Sequence, residues 1–425
     1  MSGIAVGAIV AALTVGPTRL PETVARLASD DFRTREAATR TLLAGGPSAI
    51  PALSAARPTI TDPEAVRRLD AVIRRLTDDR LSSSTVVTLT QTGRPASEAV
   101  AALSARSGYP LAAKPGDLTP AVTLDLHGVP FWQAVDAVCD AAGLAVATDA
   151  ETGLLLHAAD AHNPHVCYTG PFRIVAASAN SGRTVQLAGL HRRTPGRPPP
   201  EYLSLSFALF AEPKAPILGV GQAVLTEATD DLGGSLLPPR TRGPADDAVR
   251  TSYSPPAVGY RSLANSFGVS LYRHDRTAAT LKRLAGTVPV AVLADTRSDV
   301  TVVDPLTAKG RKFPGRTADL EVAAAGELNG VVSVEVLVAR KAGRPDDYSW
   351  LAGLGQRFEL TDPAGRRFRF AGVGSQTTAP TFTRLELRFD RPAGSVIGRP
   401  SQLRLVEWVT ATREVRFTFV DVPLP

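Results

Sequence analysis

A gapless internal duplication constrains the fold of this chain more than any other feature. Residues 87–112 read VTLTQTGRPASEAVAALSARSGYPLA, and residues 122–147 read VTLDLHGVPFWQAVDAVCDAAGLAVA, which is a period of 35 residues. Chance is a poor explanation for so many identities without a gap. The residues of the first copy that recur in the second are Val87, Thr88, Leu89, Gly93, Pro95, Ala99, Val100, Ala102, Gly108 and Ala112.

Each copy predicts a strand, a turn, a helix and a second short strand. Valine and leucine alternate along the first strand, a Gly-x-Pro turn follows, and proline stands at the start of the helix. Gly108 and Gly143 fit left-handed caps after the helices. In the second helix the apolar face is predicted to hold Phe131, Ala134, Val135, Val138 and Ala142, with Gln133, Asp136 and Asp140 opposite. Residues 84–160 are therefore predicted to form a duplicated βαβ domain, one layer of sheet under two helices.

The second copy resembles the short N-terminal domain shared by secretins and TonB-dependent transducers. In that family a V-x-L-x-L strand precedes V-P-x-x-x-A-[LV]-x-x-[LV] and then G-L. The matching positions are Val122, Leu124, Leu126, Val129, Pro130, Ala134, Val135, Val138, Gly143 and Leu144. The resemblance covers under a fifth of the chain and implies a docking or signalling module of the bacterial envelope, without identifying its partner.

Residues 21–80 are predicted to form a module of three helices. Asp30 or Asp31 is placed to cap one helix, Gly45-Gly46-Pro47 to end it, and Asp62-Pro63 to begin another. The spacing of small and apolar residues resembles a HEAT-type repeat, in which paired helices pack closely. That spacing runs through Arg35, Ala38, Leu42, Gly46, Ala49, Pro51 and Leu53.

Residues 1–20 contain an apolar run from Ile4 to Val15. The run has the length of a signal-peptide core and is short for a membrane span. We interpret it as a signal peptide, which would place the protein in the periplasm or cell envelope. The alternative is a buried or frayed N-terminus in a cytoplasmic protein. No other segment is apolar enough to cross a bilayer.

The remainder of the chain predicts two antiparallel β-sandwich domains, residues 168–305 and 306–425, of immunoglobulin-like type. The overall fold class is thus multidomain α+β. Two strands are predicted near the end, at 404–410 and 415–422. Asp-initiated turns with a following glycine are predicted at Asp230, Asp304 and Asp362. Long proline-rich exposed loops are predicted at 191–202 and 236–260.

Charge gives little support to a nucleic-acid partner. The net charge is +6, but the basic residues are spread along the chain and form no Lys/Arg run. A row of arginines is predicted on the outward side of the last strands, either as a basic face for an anionic polymer or as an ordinary solvated face. Its members are Arg367, Arg369, Arg384, Arg388, Arg404 and Arg416.

One segment carries the residue types that zinc or copper prefers. Imidazole and thiolate ligands lie close together at His157, His162, His165 and Cys167. The alternative, which we favour, is a linker that happens to contain histidines, so no metal is predicted. Cys139 and Cys167 could form one bridge or remain two separate thiols.

Three aromatic residues are predicted as binding candidates. Trp132 falls at the rim of its helix's apolar face, where it would cover a neighbouring domain or contact a partner. Trp350 and Tyr348 share a loop with Asp346 and Asp347, a composition that can stack on sugar rings. The alternative for Trp350 is a side chain tucked over the end of the β-sandwich.

The chain contains no GxSxG, SxxK, HExxH or GxxxxGK[ST] motif. The glycine pairs at Gly219 and Gly353 are too isolated to indicate a nucleotide site. We therefore predict no catalytic residue and no cofactor, and we interpret the protein as a non-enzymatic, exported interaction or scaffold protein with a protein partner. The alternative is a carbohydrate-binding or carbohydrate-acting protein that uses the β-sandwich half.

Overall fold

The chain has a mixed α+β fold with several antiparallel sheets. The computed structural model describes residues 20–113, 116, 118–149, 153–159, 163–183, 201–237, 256–273, 277–343, 347–392 and 395–425. Two compact units are present, Met1–Ser83 and Ser84–Pro425. Most of the two proline-rich loops lies outside the described residues.

The described part of the first unit, residues 20–83, is helical, with four α-helices where three were predicted. Asp31 caps the second helix by accepting a hydrogen bond from the Thr34 amide at 2.9 Å, and Asp62 caps the fourth through the Ala65 amide at 2.7 Å. The predicted caps are therefore confirmed, and Gly45 follows the end of the second helix as predicted. The helices are α1 (Leu20–Ala25), α2 (Phe32–Ala44), α3 (Ile50–Ala56) and α4 (Pro63–Ser82).

The duplicated segment forms two matching strand–helix pairs. The first strand of each copy has ten residues and the helix of each copy has twelve. Gly108 and Gly143 follow the two helices with φ of 72° and 66°, as the sequence predicted. The elements are β1 (Val86–Pro95), α5 (Ala96–Ser107), β2 (Leu111–Ala113), β3 (Ala121–Pro130), α6 (Phe131–Ala142), β4 (Leu144–Asp149) and β5 (Gly153–Ala158).

The two copies are related by a local pseudo-two-fold axis. The Gly93 amide donates to Thr123 Oγ1 at 3.1 Å, and the Gly128 amide donates to Thr88 Oγ1 at 3.0 Å. Each bond is the other with its partners moved by 35 residues and exchanged. The same exchange relates the bond from the Ala96 amide to the Pro120 carbonyl and the bond from the Phe131 amide to the Thr85 carbonyl.

The repeat forms two small sheets, whereas a single sheet layer was predicted. Strands β1 and β3 pair antiparallel as a two-stranded sheet, and β2, β5 and β4 form a three-stranded sheet. Four of the six recurring helix residues lie in the interior, because at most 4% of the surface of any of them is exposed; they are Ala99, Val100, Ala134 and Val135. Ala102 and Ala137 are partly buried. The shared apolar residues of the repeat therefore serve packing.

Three further sheets contain the strands that follow. Their orders are β11-β8-β7-β6, then β10-β12-β19-β16 with β9 also on β12, and β13-β14-β15-β18-β17. The strands are β6 (Val166–Thr169), β7 (Phe172–Arg183), β8 (Glu201–Ala211), β9 (Ile217–Val220), β10 (Val224–Asp230), β11 (Ala264–Arg273), β12 (Thr280–Val303), β13 (Lys312–Pro314), β14 (Ala318–Leu328), β15 (Val331–Arg340), β16 (Phe358–Thr361), β17 (Arg369–Thr378), β18 (Phe382–Asp390) and β19 (Gln402–Pro423).

Strands β12 and β19 pair antiparallel along almost their whole length. One end of the pair packs against β8, where Phe207 lies 5.1 Å from Phe419 between ring centroids. The other end contributes Val302 and Leu403 to a core shared with β14, β15 and β18. The pairing crosses the boundary predicted at residues 305 and 306, and it makes one strand where two were predicted at 404–410 and 415–422.

Two of the three Asp-initiated turns have the predicted geometry. The Asp230 carboxylate accepts from the Gly234 amide at 2.6 Å, and that of Asp362 accepts from the Arg366 amide at 2.9 Å. Glycine with positive φ stands three residues after each aspartate. Asp304 is different: its own backbone is left-handed, with φ of 48°, and its side chain caps nothing. The prediction is wrong there because Pro305 begins a 3-10 turn.

We expect Asp362 to make stability depend on acidity. Hydrogen bonds from the Gly398 amide and from Arg366, opposed by burial, lower the pKa of Asp362 from 3.8 to about 2. The native state thus gains stability above about pH 4 that is lost as the pH falls towards 2. Asp362→Asn removes this gain, so its urea midpoint should lie below that of the wild type at pH 6, and the difference should shrink between pH 4 and 2.

Asp304→Asn is the matched control, because its side chain caps nothing. Its difference from the wild type should stay constant over the same pH range. A difference for Asp362→Asn that is still unchanged at pH 2 would contradict the assignment.

Candidate functional site

The three candidate metal ligands that the structure describes, His157, His165 and Cys167, do not form a metal site. His157 lies in β5 with its Nδ1 2.9 Å from the Ala158 carbonyl oxygen, and Cys167 lies in β6 opposite Ile174. His165 precedes β6, and His162 lies outside the described residues. Within the described part of the chain no three His, Cys, Asp or Glu side chains could hold one ion.

The two cysteines are free thiols, so the bridge left open by the sequence is not formed. Cys139 is buried in α6, and burial together with the Asp136 charge raises its pKa to about 12. A thiol with so high a pKa stays protonated at neutral pH and is a poor nucleophile. Cys139 therefore acts as a packing residue.

Trp132 is a core residue, which corrects its placement at a rim. Only 1% of its surface is exposed, and its indole N–H donates to the Pro171 carbonyl at 3.0 Å. Its ring lies 6.0 Å from that of Phe210 in β8. Trp132 therefore covers a neighbouring sheet, which is the first of its two alternatives. Its buried ring offers no surface to a partner in solution.

Asp136 was predicted opposite the apolar face of α6, and it is nevertheless buried, with 5% of its surface exposed. Its carboxylate accepts from Arg173 Nε at 2.8 Å and from the Tyr168 hydroxyl at 2.5 Å. Burial, with the hydrogen bond to Asp136, raises the pKa of Tyr168, so the phenol stays protonated and keeps donating. The ion pair with Arg173 attaches α6 to β7, and the hydrogen bond from Tyr168 attaches α6 to β6.

A second buried carboxylate, Glu212, attaches the beginning of the repeat to the end of β8. It accepts from the Thr85 amide at 3.0 Å and from the Tyr109 hydroxyl at 3.0 Å, and Lys214 Nζ lies 3.2 Å away. No part of the Glu212 side chain is exposed. A buried carboxylate is stable only with such a full set of donors.

The cavity beside Asp136 is small. It encloses about 190 Å³ between α6, β4 and the β7–β8 face, with Cys139, Leu144 and Phe210 in its walls. Pockets for small ligands are usually larger, at about 300–1,000 Å³. The groups around it are also already paired, so we regard this region as a structural junction.

Trp350 lines a cavity of about 320 Å³ at one end of the β14–β15 hairpin. The indole packs against the core shared by β14, β15 and β19, and Tyr348 nearby is half-exposed. Asp346 lies outside the described residues, and Asp347 accepts from Arg340 Nη2 at 3.0 Å. This space, the Trp350 cavity, is lined by Arg316, Thr317, Ala318, Val338, Arg340, Lys341, Ala342, Trp350, Leu354, Arg357, Leu405 and Glu407.

The Trp350 cavity combines an apolar floor with a cationic wall. The floor residues Val338, Leu354 and Leu405 are buried. Three of the wall cations have carboxylate partners, which pair Arg316 with Glu407, Arg340 with Asp347 and Lys341 with Asp319.

Arg357 is the exception in this wall. Its Nε donates to the Val406 carbonyl at 3.1 Å, and its Nη1 reaches the Trp350 carbonyl only at 3.5 Å. Burial lowers the pKa of Arg357 below its usual value. No carboxylate forms an ion pair with Arg357 among the described residues, although the charges of Glu407 and Asp299 act on it from a greater distance.

Five of the six arginines in the row pair with carboxylates, the sixth, Arg416, is exposed on β19, and the row is divided between two sheets. Arg369 pairs with Asp390 at 2.7 Å, Arg384 with Glu335 at 2.7 Å and Arg388 with Glu386 at 3.0 Å. Arg367 and Arg404 share Glu359. A continuous basic face is therefore not formed, and the solvated alternative describes these side chains.

The isolated glycines have packing roles. A Cβ on Gly219 would lie 2.0 Å from the Ala257 carbonyl oxygen. Gly353 has φ of 63°, and a Cβ there would lie 2.7 Å from both the Gly259 oxygen and the Trp408 ring. Both positions need glycine because another chain segment approaches closely.

Sequence reasoning identified Trp350 and missed Asp136, Glu212 and Arg357. A lone carboxylate or guanidinium in a polar stretch carries no pattern, because its partners come from strands far away in the chain. The one available signal was the divergence between the copies, since Trp132 and Asp136 stand where the first copy has Ser97 and Ala101.

In comparisons with protein-family models, characterised proteins and solved structures, no significant match to this chain was found. Among the described residues, no helix has both the length and the apolar character needed to span a membrane.

Proposed function

We propose that this chain is a non-enzymatic interaction protein of the bacterial envelope, in which the duplicated segment is a docking platform for a protein partner. The resemblance of residues 122–144 to the short secretin and TonB-transducer domain supports this role, and the apolar leader supports export. In the same proposal the HEAT-like helices and two β-sandwich domains are further modules of the scaffold.

The observation that carries the proposal is how the repeat is fixed. The recurring valines and leucines of its strands are interior, and buried polar groups at Asp136 and Glu212 attach the repeat to the strands that follow. A platform held in this way binds with little loss of conformational entropy. Its free side is one face of the β1–β3 sheet, where the exposed side chains are Thr88, Thr90, Thr92, Thr123, Asp125 and His127.

Substitutions on this face should abolish partner binding without unfolding the protein. Thr90 and Asp125 lie opposite each other at its centre. Full-length protein carrying Thr90→Arg and Asp125→Arg should lose at least about tenfold of the stoichiometric partner that the wild type captures from envelope extract, because two bulky cations cover the centre of the contact.

The matched control carries Thr412→Arg and Glu414→Arg, which are exposed on β19. It should capture the partner normally. Equal capture by both variants would contradict docking on the β1–β3 face, and repeated failure of the wild type to capture any stoichiometric partner would contradict the proposed function.

A second function is favoured by one specific feature, the Trp350 cavity. An indole beside a half-exposed tyrosine, above an apolar floor, is a surface on which a sugar ring can stack. We therefore propose carbohydrate binding by the β-strand half as the second candidate.

A further inference from the structure

The guanidinium of Arg357 indicates which kind of ligand the Trp350 cavity suits. Arg316, Arg340 and Lys341 are already matched by carboxylates of the protein. Among the residues that the structure describes, Arg357 forms no ion pair, and only the more distant charges of Glu407 and Asp299 act on it. A ligand with a negative group would give Arg357 a direct partner.

The hydrogen-bonding capacity of Arg357 is also incompletely used. A guanidinium has five N–H donors in a planar fork, and the carbonyls of Val406 and Trp350 engage only two of its nitrogens. Its Nη2 has no hydrogen-bond partner in the described part of the chain. Because one bond to a carbonyl is as long as 3.5 Å, Nη1 and Nη2 are free to grip a carboxylate through two parallel bonds.

The rest of the site suits the uncharged part of such a ligand. The indole of Trp350 offers an aromatic surface, and Val338, Leu354 and Leu405 offer an apolar floor. A volume of about 320 Å³ is at the small end for ligand pockets, which favours one ring or the end of a short chain. An aliphatic acidic side chain would leave the indole without a stacking partner.

We propose that the Trp350 cavity binds a carboxylate-bearing sugar ring, a hexuronate, with its carboxylate on Arg357 and its ring against Trp350. This inference rests on the carbohydrate-binding candidate and adds the charge of the ligand to it. The recognition is non-covalent, and it weakens with salt as far as the ion pair contributes.

The test uses full-length protein and calorimetry with five probes: tetramers of galacturonate and of mannuronate, the methyl ester of each tetramer, and a tetra-aspartate peptide. We expect at least one acidic tetramer to bind, and its ester to bind at least tenfold more weakly. Arg357→Gln should weaken binding of the acidic tetramer by at least tenfold. Arg357→Lys keeps the charge without the planar fork, so its affinity should lie between those of the wild type and Arg357→Gln.

Arg384→Gln is the control, because Arg384 is exposed and paired with Glu335 on β15. It should bind as the wild type does. Unchanged thermal midpoints for all three variants would show that the losses are local.

Each other outcome overturns the inference in a recognisable way. Equal binding of acid and ester that is lost in Trp350→Ala would keep carbohydrate binding and reject the role of the carboxylate. Equal binding of the peptide would reject the sugar ring as the recognised group. If neither acidic tetramer binds at concentrations up to roughly the millimolar range, the inference fails. Partner capture by the β1–β3 face remains a separate result.

Discussion

Replacing Glu212 with alanine should lower the free energy of unfolding of the Ser84–Pro425 unit by about 3–5 kcal/mol. The substitution leaves Lys214, with 16% of its side chain exposed, without its carboxylate. It also removes the acceptor of the Thr85 amide and the Tyr109 hydroxyl. All three tryptophans lie in this unit, so tryptophan fluorescence in urea reports its unfolding.

Two variants sharpen this test. Glu212→Gln keeps an acceptor and should cost less, about 1–3 kcal/mol. Glu414→Ala removes an exposed glutamate and should change stability by no more than about 0.5 kcal/mol. A loss below about 1 kcal/mol for Glu212→Ala would mean that the repeat is held to β8 by apolar contacts alone.

Trp132→Ala should be comparably destabilising, at about 3–5 kcal/mol, because it leaves a cavity between α6 and β8. It also leaves the Pro171 carbonyl without the indole donor. Trp132→Phe should cost less, since much of the ring volume remains. Chemical denaturation followed by circular dichroism measures both variants.

The repeat supplies the control for Trp132. Ser97 is the equivalent residue of the first copy and is exposed. Ser97→Ala should therefore change stability by about 0.5 kcal/mol or less. Similar losses at the two equivalent positions would contradict the view that only the second copy packs a helix residue at this position against β8.

The contrast between these positions explains where sequence reasoning worked. The period of 35 residues predicted two equal strand–helix units, and the structure has them with exchanged hydrogen bonds between Gly93, Thr123, Gly128 and Thr88. The helix caps and two Asp turns were also predicted correctly. The backbone amides that close them lie within four residues of the aspartates, so the local sequence contains both partners.

Sequence reasoning was less successful where partners are distant. Asp136 lies opposite the apolar stripe of α6, and nothing in the sequence of the helix indicated that Arg173 and Tyr168 would cover it. The long strand β19 was divided in two, because its sequence changes character where it passes from one core to the other. Its continuity depends on β12, more than 100 residues earlier in the chain.

The sequence by itself determined the repeat, its helix boundaries and its interior, because periodicity and capping act over a few residues. Only the tertiary structure decided that Trp132 is enclosed, that five of the arginines in the row are paired with carboxylates, and that Arg357 forms no ion pair with the described residues around the Trp350 cavity. Burial and charge pairing depend on which strands meet in space, and that information is not contained in any single segment of the chain.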